Sequence, residues 1–435
     1  MHKNAQGIGE GDRAPAVLSS HENHRYVSYS LIVVLALSIA GYPIVASLTS
    51  LLGVENRSAA LGFRFVLFFS SIAVIFAVLS NRAVFFRSPA WLPLTVFWTT
   101  YITRLWLDTL INLVPLSRDQ IEYWIWAIGG CLVPMVALMA RPDEATGRKA
   151  LIATYWITAS AAVLVLVATW ADISTGVALT IERGRLELSA LNPISVGHLG
   201  GSMTLIATHR ILCGEYRNGN TIFRATYILF AVVGLVLLIA SGSRGALIGT
   251  IIASLMLAAA GVRRRRGLLS IVFIVSLVAS GILMAKYAED ALGFATVTRL
   301  VGGVNPEFDT GASARLQLMG AAWNQFLDSP VLGSGVEEST GLDYPHNVVI
   351  ESFMATGILG GTAFVMLIMI AVRASWHLLN TVPQQRWVAM LCIQYIVGAQ
   401  FSGSLWGNTI LWALMGAVFA LGVPRVRLAE QKMLT

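Results

Sequence analysis

The chain has 435 residues, 56% of them hydrophobic and only 12% charged, with a mean hydropathy of +0.70 and a formal net charge of +7. Soluble domains carry about 25% charged residues, so a soluble globular protein is excluded. What remains is an all-α integral membrane protein, because backbone amides in lipid have to satisfy one another within each segment.

The first 26 residues are polar and contain no hydrophobic core, so they are expected to be a cytoplasmic tail and not a cleavable signal peptide. Apolar stretches of about spanning length then follow one another. Transmembrane helices 1–9 are predicted within 27–287, at 27–48, 60–79, 90–114, 119–140, 149–171, 194–213, 221–240, 245–261 and 267–287. A long loop, 288–345, comes next, then helices 10–12 within 346–423, at 346–372, 387–403 and 405–423, and a tail over 424–435. The third span carries Arg104 and Asp108 one turn apart, which predicts an ion pair inside the bundle. Cys131, Cys213 and Cys392 show no metal-type spacing, so neither disulfide nor zinc is expected, and no cofactor motif is present.

Two thirds of the 30 Lys and Arg fall in segments that are cytoplasmic if the N-terminus is inside, which predicts both termini on the cytoplasmic side. The run Arg263–Arg266 anchors that orientation; as a loop beside an apolar helix it points to topology and not to nucleic acid. The loop 288–345 then lies outside. Within it "SARLQLMGAAWNQFLDSP", 313–330, places Leu316, Met319, Trp323, Phe326 and Leu327 at helical spacing, the pattern of an amphipathic helix ended by Pro330, Gly333 and Gly335.

Three arginines fall on the outer side, where arginine is rare: Arg185 before a helix, Arg244 in the turn "SGSRG", and Arg315 at the start of the loop helix. A guanidinium grips phosphate oxygens in pairs, so the three together suit a diphosphate. Singly, each has another use: Arg185 beside Glu182 or Glu187, Arg244 reaching lipid phosphates, Arg315 beside Asp309. In "LDYPHNVVIESFMATGILGG", 342–361, His346 follows Pro345 at the head of an apolar run, with Asn347 next to it and Glu351 about a turn on. With an ordinary pKa near 6.5, its imidazole is a candidate general base.

The segments "RLELSALNP" (185–193), "SGSRGALIG" (241–249), "SARLQLMGAAWNQFLDSPVLGSG" (313–335) and "HNVVIESFMATGILGG" (346–361) resemble, in that order, the signature regions of the bacterial O-antigen ligase and polysaccharide polymerase superfamily. The resemblance implies about twelve transmembrane helices with a large, partly helical periplasmic loop between spans 9 and 10, in the bacterial inner membrane. It implies glycosyl transfer at the periplasmic face from an undecaprenyl-diphosphate-linked oligosaccharide donor. In polymerases the acceptor is a sugar of another lipid-linked repeat unit; in ligases it is the lipid A core. By resemblance His346 is the catalytic residue and Arg185, Arg244 and Arg315 hold the diphosphate; Asn192 of the Asn-Pro and, from their positions beside His346, Asn347 and Glu351 are the candidate supporting residues. Membrane lipids, a chain-length regulator and a flippase are implied as partners. A transporter or flippase is the rival class, but halves 27–213 and 221–423 show no repeat, and most charges sit near the outer surface.

Overall fold

The computed structural model describes residues 20–54, 56–80, 88–140, 144–174, 186, 188, 191–212, 221–261, 310–341 and 343–422, and singly 279, 283 and 286. The expected tails, most of the ninth span, the four-arginine run and Arg185 lie outside the described residues. Twelve helices make up the described chain: α1 Ser20–Leu52, α2 Asn56–Ser80, α3 Trp91–Trp106, α4 Gln120–Leu138, α5 Glu144–Ser174, α6 Pro193–Leu212, α7 Thr221–Ala240, α8 Arg244–Gly261, α9 Thr310–Asp328, α10 Val348–Thr381, α11 Arg386–Gly398 and α12 Thr409–Leu421. Within α1, α2, α4, α5, α7 and α10 run six apolar stretches long enough to cross a membrane. The expected spans at 90–114, 194–213, 245–261, 387–403 and 405–423 fall on helices that are shorter, more polar or interrupted.

Without a hydrophobic drive between helices in lipid, close packing has to hold the bundle together. Helix α6 lies against α7, α8 against α11, and α10 against α3 and α11. Where α6 meets α7, a side-chain carbon on Gly200 or Gly234 would collide with the other's carbonyl oxygen, so only glycine permits that approach. The centre is aromatic: Phe97 and Trp98 of α3 meet Trp412 of α12 at 5.3 and 4.9 Å between ring centroids, and Phe97 meets Phe364 of α10 at 5.1 Å. Two helices wind locally as π-helix, α3 over Leu107–Ile111 immediately beyond its α-helical part and α4 over Ile125–Leu132. Such turns are rare and are often found at functional sites; Asp108 lies in the first and Trp126 in the second.

At that end the predicted loop helix is present as α9, starting three residues earlier than expected and ending at Asp328. Only part of its apolar face is engaged: Ala322 and Phe326 are buried, Phe326 lying 5.3 Å from Phe353 of α10, while Leu316 and Leu327 are exposed. The turn after α9 docks into a break in α10. Gly357 there has φ +64°, a conformation that costs glycine little, and its carbon faces Val331 so closely that no side chain fits. Ile358 donates to the Pro330 carbonyl at 2.8 Å and Ser334 to that of Met354 at 2.9 Å across the break.

The Arg104–Asp108 pair of α3 is present and clamps the same turn. Arg104 reaches Asp108 at 3.3 Å and donates to the carbonyls of Leu332, Gly333 and Ser334 at 3.2, 2.5 and 3.4 Å. Asp108 accepts from the Val336 amide at 2.9 Å. Next along the chain, Glu337 takes the Ser117 amide and hydroxyl at 2.8 and 2.6 Å, together with the Tyr123 hydroxyl. Every charge in this corner has a partner.

Candidate functional site

His346 sits between the Glu338–Asp343 bridge and the start of α10. Its φ is +58°, a left-handed backbone that non-glycine residues adopt rarely and at a cost of about 1–3 kcal/mol. Two neighbours hold it there. Pro345 restricts the approach, and Asn347 caps α10, its Oδ1 accepting from the Val349 and Ile350 amides at 3.0 Å each. Asn347 Nδ2 also donates to the Gln400 carbonyl at 3.2 Å, and the Val348 amide to that of Ala399 at 3.2 Å, tying the cap to the turn after α11. The His346 ring stands edge-on to Tyr344 at 4.4 Å, and its buried Nδ1 has no hydrogen-bond partner.

The imidazole is less basic than its ordinary value of 6.5 suggests. Burial, reinforced by the Arg315 guanidinium and opposed by Asp343, lowers its pKa to about 4, so His346 is neutral at physiological pH. Burial also pushes the Tyr344 hydroxyl up to about 12. Arg315 is therefore close enough to act on both groups through its field, as its position at the start of α9 had suggested.

The remaining expected residues divide. Asn192 caps α6, accepting from the Ser195 amide at 2.8 Å, and faces a cavity. Arg244 begins α8, where Gly245 packs on Phe401 and on the Gly398 carbonyl, so the "SGSRG" turn and the His346 cap meet the same 398–401 turn. Although Arg185 is outside the described residues, its neighbour Leu186 donates to the Ala240 carbonyl at 2.9 Å, beside that turn. Glu351 is fully buried and both its oxygens receive the Leu405 amide, at 2.9 and 3.0 Å. Its carboxylate thus supports the backbone of the loop before α12.

The loop's other carboxylates are similarly engaged. Glu338 accepts from the Thr340 and Gly341 amides at 2.9 and 2.6 Å and from the Thr340 hydroxyl. Burial raises its pKa, but these bonds outweigh burial and leave it below its ordinary value. With Glu337 and Glu351 also spent on backbone amides, no pair of free carboxylates of the glycosidase kind stands here among the described residues.

A cavity of about 950 Å³ opens beside Tyr344. Its walls come from α1 (Ser38, Tyr42), α2 (Arg57, Arg64), the α3–α4 connection and α4 (Arg118, Glu122, Trp126), α6 (Asn192, His198) and the loop before α12 (Trp406, Asn408). Tyr344 lines it and touches the His346 ring, but His346, Arg244 and Arg315 are not among its walls. Sequence reasoning missed this wall, although Arg57, Arg64 and Arg118 satisfy the criterion that selected Arg185, Arg244 and Arg315: each counts to the outer side under the predicted topology.

A helical bundle with six apolar, membrane-length stretches defines a multi-pass membrane protein, and its cavity is lined in part by arginines. Residues 229–365, under half of the chain, match the family model described as O-Antigen ligase, in support of the superfamily that the sequence motifs resemble. That segment contains Arg244, Arg315, His346, Asn347 and Glu351, whereas Asn192 and the missed arginines precede it. No curated protein matches the chain.

Proposed function

We propose that the protein is a glycosyltransferase of the periplasmic face of the bacterial inner membrane, with both termini cytoplasmic, moving an undecaprenyl-diphosphate-linked glycan onto an acceptor sugar hydroxyl and so polymerising O-antigen or exopolysaccharide repeat units. The observation that carries this reading is His346: a neutral imidazole in a strained backbone, with an unpartnered nitrogen, within the field of Arg315 and in ring contact with Tyr344, which lines a cavity large enough for an oligosaccharide. At about 950 Å³ the cavity stands at the upper end of the ~300–1,000 Å³ typical of ligand sites.

In the proposed step the acceptor oxygen attacks the anomeric carbon as His346 takes the hydroxyl proton. The bond between that carbon and the diphosphate oxygen breaks, and undecaprenyl diphosphate leaves with the electron pair. In this reading Arg185, Arg244 and Arg315 supply the positive charge that stabilises the transition state more than the bound donor. One displacement inverts the anomeric centre, and the leaving group is stabilised by arginine without a metal. Neutral His346 is available as an acceptor throughout the physiological range, and an anion beside it makes it more basic.

The test is transfer from a lipid-linked donor by a correctly inserted His346→Ala protein; wild-type rates in that variant would remove the base. Arg→Lys at the three arginines keeps charge but loses the paired donors, and three fully active lysine variants would place the diphosphate elsewhere. Ligation to lipid A core is the second reading, favoured by the description of the matched family. Deletion separates the two: single-repeat glycans follow loss of a polymerase, and full-length chains left on the lipid carrier follow loss of a ligase.

A further inference from the structure

Four charged groups line the cavity deeper than Tyr344, and three are committed to one another. Arg57 pairs with Asp119 and with Glu122, the latter at 2.5 Å, and Arg118 stands 3.7 Å from the same Glu122. The fourth, Arg64, is only 6% exposed and forms no ion pair among the described residues. One of its nitrogens donates to the Ala60 carbonyl at 2.7 Å, and its Nε has no partner. Its guanidinium carbon lies over the Trp126 ring, 3.1 Å from the centroid, and 5.6 Å from that of Tyr42, which holds the group in place on the wall. A buried, uncompensated cation in a membrane-spanning helix is expensive, and the usual reason to keep one is an anion that arrives later.

Its surroundings narrow the anion. The indole nitrogens of Trp126 and Trp406 and Nδ1 of His198 are buried without partners, all on this wall. Ser195, Ser402, Ser404 and Asn408 add hydroxyl and amide groups. Aromatic faces beside unsatisfied N–H donors suit a polyhydroxylated ring, whereas a prenyl or acyl chain would leave those donors unpaired. A rigid guanidinium is matched by the two oxygens of a carboxylate.

We infer that Arg64, Trp126 and Trp406 form a subsite for an acidic sugar, with Arg64 receiving its carboxylate. This rests on the transferase reading for the identity of the glycan, but binding can be measured without transfer. Full-length protein in lipid nanodiscs is titrated calorimetrically with a tetrasaccharide of alternating glucuronic acid and N-acetylglucosamine, and with its carboxyl-reduced counterpart. The acidic form is expected to bind roughly tenfold or more tightly, the worth of one charge-assisted pair. That preference should vanish in Arg64→Met and persist in His346→Ala.

Equal affinity of the two probes for wild-type protein overturns the subsite without any variant, so a misfolded Arg64→Met cannot protect the idea. A preference that survives in folded Arg64→Met overturns it as well, because the carboxylate then sits on other arginines. Displacement of the acidic tetrasaccharide by undecaprenyl diphosphate overturns it in favour of a leaving-group site. Transfer retained by His346→Ala, with the acidic preference intact, removes the proposed base and leaves the subsite standing.

Discussion

Two arginines, each on a helix and each largely buried, are treated in opposite ways. Arg104 has a carboxylate one turn away and three backbone carbonyls within reach, while Arg64 has one carbonyl and an indole face. The corner around Arg104, Asp108 and Glu337 leaves no charge unmatched and holds the turn after α9 against α3 and α10. On the cavity wall, Arg64 Nε and the Trp126 and Trp406 indoles remain unmatched, as does His346 Nδ1 behind Tyr344. Arg104 Nε is unmatched as well, so the contrast lies in counter-charge: Arg104 has Asp108, whereas Arg64 has no ion pair among the described residues, and that marks Arg104 for the fold and leaves Arg64 for a ligand.

Substitutions should sort along that line. The largest effect is expected for His346→Ala: transfer from the lipid-linked donor falls by about 10²–10⁴-fold while the thermal unfolding midpoint stays at the wild-type value. A drop in that midpoint would move His346 to the structural side. Asp108→Ala should do the reverse, destabilising the protein by about 3–5 kcal/mol because Arg104 is left buried without its counter-charge, measured by thermal unfolding in detergent. Arg64→Met should match or exceed wild-type stability in the same measurement, since a charge without a protein counter-ion is removed; a loss like that of Asp108→Ala would erase the distinction.

Smaller effects sharpen it. Removing the α10 cap with Asn347→Ala should cost about 1 kcal/mol and, by loosening the left-handed His346, should lower transfer more than it lowers stability. In the pH profile, transfer needs neutral His346, so the rate should be flat at neutral pH and fall as pH drops through about 4. Arg315 holds that pKa down, so Arg315→Gln should raise it and shift the acid limb to higher pH; an unmoved limb would separate Arg315 from the base. Stability carries the same sign. The unfolded chain takes this proton near 6.5 and the folded chain only near 4, so His346 weakens folding as pH falls through that window.

Much of this was legible in the sequence. The α9 pattern, the Arg104–Asp108 pair, the six apolar membrane-length helices and the residues around His346 all depend on spacing along one segment. His346 stood out because a proline precedes it and a helix cap follows, which are local features. Arg64 did not, although its side of the membrane could be counted, because nothing near it in sequence says that Asp119 and Glu122 go to Arg57. Asn347 and Glu351 looked like partners for the histidine because they are one and five residues away. Their polar atoms instead meet Gln400 and Leu405, more than fifty residues on.

The amino-acid sequence by itself therefore determined the solvent in which this chain folds, its main apolar helices, and which side chains are able to accept a proton or hold an oxyanion, because hydropathy and ionisation belong to residues and short windows. Only the tertiary structure decided which of those groups remain unspent. Pairing is settled by distance in space, and the π-helical turns of α3 and α4 and the glycine break in α10 set those distances.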